Sequence, residues 1–175
     1  TAMITRVADE LLDRWIERGQ VEFISEFARP LPQIVLATIL GFPLEDIPQL
    51  AEWGTFQVMP FVYGKGPRNK LSREQMASQA DALEAFGHYV EDQVTEKRRR
   101  PQDDMISFLT KVTYQALGRK LSDVEIIGVV YAMVLGGLET TQYALAEQAQ
   151  LVCEDPNLYQ ELRTDPSRVR PFIEE

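Results

Sequence analysis

Six consecutive residues, Gly136-Gly137-Leu138-Glu139-Thr140-Thr141, carry most of the chemistry in this sequence. They interrupt "VYAMVLGGLETTQYAL", a stretch that otherwise reads as a buried helix. Glycine costs a helix interior about 1 kcal/mol relative to alanine, and β-branched threonine is also a weak helix former. Thr140 follows Gly136 by four residues, so its hydroxyl can reach the Gly136 carbonyl and compete with the helical ladder, bending or opening the helix. Without a Cβ at 136 or 137, the opened groove admits a small molecule against the backbone. Ala132, Gly136 and Thr140 fall on one stripe at i, i+4, i+8, small and smooth until it reaches a hydroxyl. Glu139 stands beside it as a titratable group. A small pocket, one hydroxyl donor and an acid behind it are equipment for delivering protons to a diatomic ligand. A packing reading competes: small residues let another helix cross closely, with Thr140 and Thr141 bonded back to the preceding turn.

Other candidates are weaker. His88 is the only histidine, with no second ligand near it in sequence, and reads as a helix-surface residue. The carboxylates are scattered and form no Glu-x-x-His pattern, which leaves a di-iron bundle unsupported. Cys153, the only cysteine, excludes an internal disulfide and makes a cytoplasmic setting the expectation; it reads as a packed or inert helix residue. Eighteen Lys+Arg against 27 Asp+Glu give a net charge of −9, which argues against nucleic acid as a partner. The one basic cluster, "EKRRRPQDD" (96–104), runs straight into acids and reads as a solvated helix end. No apolar run approaches the roughly 20 residues of a membrane span, so no membrane is expected.

The elements that must position this motif are helical. At 175 residues, 45% apolar and 26% charged, the chain has the profile of one globular domain with a real core. "ITRVADELLDRWIERG" (4–19) carries an apolar face with Gly19 as its stop, and "QIVLATILGFP" is an apolar helix closed by Gly41 and Pro43. A helix is predicted from Leu44, with Pro48 in its first turn, followed by a Gly/Pro-rich loop over 60–72. The next helices are "REQMASQADALEAFGHYVEDQVTEKRRR", stopped by Pro101, and "DDMISFLTKVTYQALG", ending near Gly118. Ser122 and Glu125 form a capping box at the start of a helix of about 30 residues that contains the motif. Trp15 and Trp53 are core candidates. No convincing strand is found, and the fold class is all-α around one long central helix. Both ends, "TAMITRVADELL" and "PFIEE", fall in helical rhythm, so residues 1–175 are expected to be a single partial domain cut from a larger one.

In colinear order, the chain resembles the haem-thiolate monooxygenases of the cytochrome P450 superfamily in their soluble bacterial form. The resemblance rests on Gly136-Gly137-Leu138-Glu139-Thr140-Thr141 and on "FARPLPQIVLATILGFPLED" (27–46), "RRRPQDDMISFL" (98–109), "LSDVEIIGVVYAMVL", "CEDPNLYQELRTDP" and "VRPFIEE". It implies the helical middle part of that fold and a cofactor, haem (iron protoporphyrin IX), whose cysteine thiolate ligand lies outside this chain. Glu175 would open the family's Glu-x-x-Arg helix. Thr140 is implied as the hydroxyl that stabilises bound dioxygen, and Glu139 as the acid relaying protons from solvent. Gly136 and Gly137 would form the groove over the haem, with Ala132 and Met133 one turn earlier. Leu135, Phe56 and Met59 are the implied substrate contacts, and loop 60–72 the implied lid. The implied partners are an apolar small-molecule substrate, dioxygen and a redox partner: a ferredoxin/reductase pair or a fused reductase domain, drawing electrons from NAD(P)H. The wording around the motif also resembles self-sufficient, reductase-fused members. The competing function is a non-catalytic helical binding or regulatory module whose motif is a helix-crossing device.

Overall fold

A computed structural model describes residues 2–64, 69–116 and 118–174. Among the described residues the chain is helical apart from one two-stranded ribbon. The helices are α1 (Ala2–Leu12), α2 (Pro30–Leu40), α3 (Ile47–Tyr63), α4 (Arg73–Arg99), α5 (Met105–Lys111), α6 (Asp123–Gly137), α7 (Glu139–Glu154), α8 (Pro156–Thr164) and α9 (Val169–Glu174). Strands β1 (Thr113–Tyr114) and β2 (Arg119–Lys120) lie between α5 and α6 and pair antiparallel, Thr113 opposite Lys120 and Tyr114 opposite Arg119.

The core forms where α2, α3, α4 and α5 pack around α6. Phe86, Val90 and Val94 recur every four residues along α4, and Ile126, Val130 and Val134 do the same along α6, all buried. This is the apolar stripe a core-facing helix requires. Trp53 of α3 lies between Phe86 and Tyr89, with ring centroids 5.5 and 5.2 Å away. The Tyr89 hydroxyl donates to Asp46 at 2.7 Å; burial, and then that acceptor, push its pKa up. Together Asp123–Glu154 are apolar and long enough to cross a membrane by length and composition alone, but the α6 half is committed to this core.

Several expectations are corrected by the geometry. Helix α1 stops at Leu12, and a separate tight turn over Ile16–Arg18 reaches Gly19, leaving Ile16 exposed and Trp15 half-buried. The second amphipathic segment ends at Lys111. Beyond it the β-branched and aromatic run at 112–114 favours extended backbone, and Gly118, at φ +64°, turns it into the ribbon. Pro60–Tyr63 belong to α3 and not to a loop; residues 65–68 of the expected lid, and Glu175, lie outside the described residues. The predicted capping box at Ser122 and Glu125 is present, and Ser72 and Gln75 form a second one at the start of α4.

The basic cluster is not simply a solvated helix end. The Lys97 ammonium is buried and donates to Asp104 and Gln102, each at 2.7 Å. Asp104 also caps α5 by accepting the Ser107 amide at 2.7 Å. Gly41, which ends α2 at φ +79°, lies against the same carboxylate: a Cβ there would come within 2.5 Å of it. Burial pushes the Asp104 carboxyl up, but Lys97 and the Ser107 hydrogen bonds outweigh it and hold its pKa below the ordinary value.

Two predictions follow from this junction. Gly41→Ala combines a left-handed backbone penalty with overpacking and is expected to destabilise by roughly 2–4 kcal/mol, read from the urea midpoint. Asp104→Asn strands a buried ammonium and is expected to cost about 3–5 kcal/mol at pH 7. Because the Asp104 pKa is depressed on folding, its stabilisation is complete above the unfolded value of ~4 and is lost as pH falls through the folded value. The gap between parent and Asp104→Asn, measured by urea titration at stepped pH, should therefore shrink below about pH 4.

Candidate functional site

The long helix breaks inside the motif. Helix α6 ends at Gly137, Leu138 takes φ −91° and ψ −76°, and α7 starts at Glu139. The Thr140 hydroxyl donates to the Gly136 carbonyl at 2.5 Å. On either side the ladder is long, with Leu138 N–H to Val134 O at 3.3 Å and Gln142 N–H to Leu138 O at 3.2 Å. Weak helix formers, a competing hydroxyl and a backbone ψ well beyond the helical value account together for the discontinuity.

The two glycines have different surroundings. A Cβ on Gly137 would meet the Leu36 methyls of α2 at 3.3 and 3.4 Å, so Gly137 is a close-packing residue. A Cβ on Gly136 would meet nothing within 4 Å. Ala132, Gly136 and Thr140 are all exposed and make a continuous small stripe ending in a hydroxyl. Met133 lies at its edge, half-buried against the core, and Leu135 is also half-buried.

Glu139 leaves the opposite flank of the break and is half-buried. It faces α3, where the Thr55 hydroxyl lies 3.3 Å from Glu139 Oε1. A polar cleft of about 360 Å³ opens beside this pair, lined by Arg29, Gln33, Glu52 and Gln142 among others. Thr55 was not anticipated from the sequence. The available signal was its neighbour Gly54, a glycine in mid-helix, whose missing Cβ would stand 3.0 Å from Leu138. That close crossing sets Gly54 against Leu138 and Thr55 against Glu139.

Phe56 and Met59 are half-buried on α3, and the Phe56 carbonyl accepts from Gln79 of α4 at 2.8 Å. Gln57, next to Phe56, is buried, and neither its amide nitrogen nor its oxygen has a partner among the described residues. His88 is exposed, with Glu84 and Glu91 3.8 and 3.7 Å away, and no cluster of three metal-ligating residues occurs among the described residues. Cys153 is exposed near the far end of α7.

A helical frame whose central helix opens at a Gly-Gly-x-Glu-Thr-Thr sequence defines the class: the helical middle segment of a cytochrome P450 fold. No protein-family profile matches the chain, but individual proteins do. It is 30% identical to the biotin biosynthesis cytochrome P450 of Bacillus subtilis, over 98% of this chain and 41% of that protein. It is 28% identical to the steroid C26-monooxygenase of Mycobacterium tuberculosis (strain CDC 1551 / Oshkosh), over 99% of this chain and 45% of that one. Among solved structures, P450BioI in complex with hexadec-9Z-enoic acid ligated acyl carrier protein superposes with a TM-score of 0.84 at 28% identity, covering 99% of this chain and 42% of that one. The chain is a segment of the cytochrome P450 superfamily, spanning less than half the length of the relatives it matches.

The contrast between the glycines gives a stability test. Gly136→Ala is expected to stabilise the fold by up to about 1 kcal/mol, since alanine is the better helix former and meets open space. Gly137→Ala should gain less or lose, because Leu36 has to yield. Thermal unfolding of the two variants reads the difference.

Proposed function

We propose that the protein to which this segment belongs is a haem-dependent monooxygenase that inserts one oxygen atom of dioxygen into an apolar small molecule. The observation that carries this reading is the open stripe of Ala132, Gly136 and Thr140. Within the described residues, packing accounts for Gly137 and Gly54, where an added Cβ would meet a leucine side chain, but not for Gly136, where it would meet nothing within 4 Å. No helix crossing among the described residues gives a reason for that glycine. A flat cofactor lying along the stripe does, and the residues present fit one face of a haem. None of them supplies its iron ligand: Cys153 stands 13 residues beyond Thr140, ~20 Å along the helix axis. The thiolate is assigned to a part of the protein outside this chain.

Bound haem supplies the redox and dioxygen chemistry. The residues of this chain supply position and protons. Gly136 admits the cofactor edge and ligand to the backbone. Thr140 holds its hydroxyl at the ligand side of the break, anchored on the Gly136 carbonyl and able to rotate its hydrogen away from it. Glu139, on the other flank, exchanges protons with the polar cleft and hands them across the opened turn. Met133 and Leu135 border the stripe, and with Phe56 and Met59 they are assigned to the substrate side. The names of the relatives, a steroid C26-monooxygenase and a complex with an acyl-loaded carrier protein, support an apolar, lipid-like substrate class. Electrons are assigned to a reductase partner, separate or fused, supplied by NAD(P)H, in the cytoplasm.

The first test is the reduced, carbon-monoxide-bound absorption spectrum of the full-length protein. A thiolate-type Soret band is expected; a protein that takes up no haem overturns the reading. Thr140→Ala is expected to retain haem and substrate binding but to divert electrons to hydrogen peroxide, and parental coupling of electron use to product would rule out its role. Glu139→Gln should slow turnover by roughly 10²-fold, the lower end of general acid–base contributions.

A further inference from the structure

The Thr55 hydroxyl has two acceptors and one hydrogen. Its oxygen lies 3.1 Å from the Ala51 carbonyl, one turn back on α3, and 3.3 Å from Glu139 Oε1 on α7. A hydroxyl donates once and accepts through its lone pairs, an ionised carboxylate only accepts, and a protonated carboxyl donates once. Two arrangements therefore satisfy the triad. With Glu139 ionised, Thr55 turns its hydrogen to the carboxylate and the Ala51 carbonyl keeps only its helical bond. With Glu139 protonated, the carboxyl donates to the Thr55 oxygen and Thr55 returns its hydrogen to Ala51. No heavy atom moves between the two.

The placement of this pair is built into the fold. Gly54 lets α3 approach Leu138 to a distance that a side chain would obstruct, and Thr55 is the next residue along. The pair forms one wall of the polar cleft through which Glu139 meets solvent. The titratable groups lining that cleft are Arg29, Glu52 and Tyr143; α2, which also packs on α7, has no ionisable side chain. Glu26, on the short π-helical turn Ile24–Ala28 that packs against α7, is engaged by Arg18. Thr55 is thus the hydroxyl that bonds Glu139 from across the helix crossing.

The geometry points to Thr55 as the positioning residue of Glu139: its hydroxyl holds the carboxyl at the mouth of the cleft and follows each protonation change by turning one O–H bond. The inference rests on the reading of Glu139 as the proton relay. Thr55 is not consumed and gives up no proton; it keeps the relay acid in one orientation in both of its protonation states.

The test is the infrared spectrum of the Glu139 carboxyl in the full-length holoprotein, with ¹³C-labelled glutamate and Glu139→Gln as the assignment control. Thr55→Val keeps shape and removes the hydroxyl, so the Glu139 carboxyl band is expected to shift in frequency and to broaden as the side chain loses its fixed orientation. Thr55→Ser is expected to restore the parental band, and turnover should fall in Thr55→Val and recover in Thr55→Ser. An unchanged band in Thr55→Val, or an equal change in Thr55→Ser, overturns the role of the hydroxyl. Parental turnover in Glu139→Gln instead overturns the relay reading itself. Slow turnover in Glu139→Gln with an unchanged band in Thr55→Val overturns only the part assigned to Thr55.

Discussion

The close crossing of α3 over the α6–α7 break is the constraint on which the site depends. Gly54 and Leu138 meet so closely that an added Cβ would stand 3.0 Å from the Leu138 side chain, which would have to give way. Because packed interiors resist small changes of volume, that contact fixes where α3 runs relative to the break. It buries Leu138 at the point where the helical backbone departs from regular geometry, so the irregular turn is held from one side by the core. The other side, along Ala132, Gly136 and Thr140, is left uncovered by the described residues. One interaction thus separates a packed flank from an accessible one and sets Glu139 and Thr140, adjacent in sequence, facing different surroundings.

A second junction secures the frame. Lys97, Asp104, Gly41 and the start of α5 converge on one buried ion pair with its hydrogen bonds satisfied by Gln102 and Ser107. Buried pairs of this kind add little net stability over apolar residues of the same volume, but losing one partner is costly. The arrangement therefore specifies a geometry: the end of α4, the end of α2 and the beginning of α5 fit only together. Since α2 carries Leu36 against Gly137, this knot and the motif are linked through a single short helix.

Much of this was legible in the local sequence. The capping box at Ser122, the glycine closing α2 and the weak middle of the central helix each follow from short-range rules of backbone conformation and hydrogen bonding. So did the back-bond from Thr140 to Gly136, which needs only four residues of helix. The ribbon at 113–120 was missed because a short apolar run fits a helical period as readily as an extended one. Lys97 was misjudged because its burial depends on a carboxylate beyond the proline stop, not on its neighbours within the helix.

The sequence by itself determined a helical class, the position of the helix break and the acid and hydroxyl side chains that flank it. Only the tertiary structure decided which of the two glycines is packed and which is open, because that depends on Leu36 arriving from a separate helix. It also decided that Thr55, 84 residues from Glu139, would share its hydrogen bond. Local periodicity reports which face of a helix turns inward. What that face meets is set by the crossing of two helices, and the crossing is a property of the packed core.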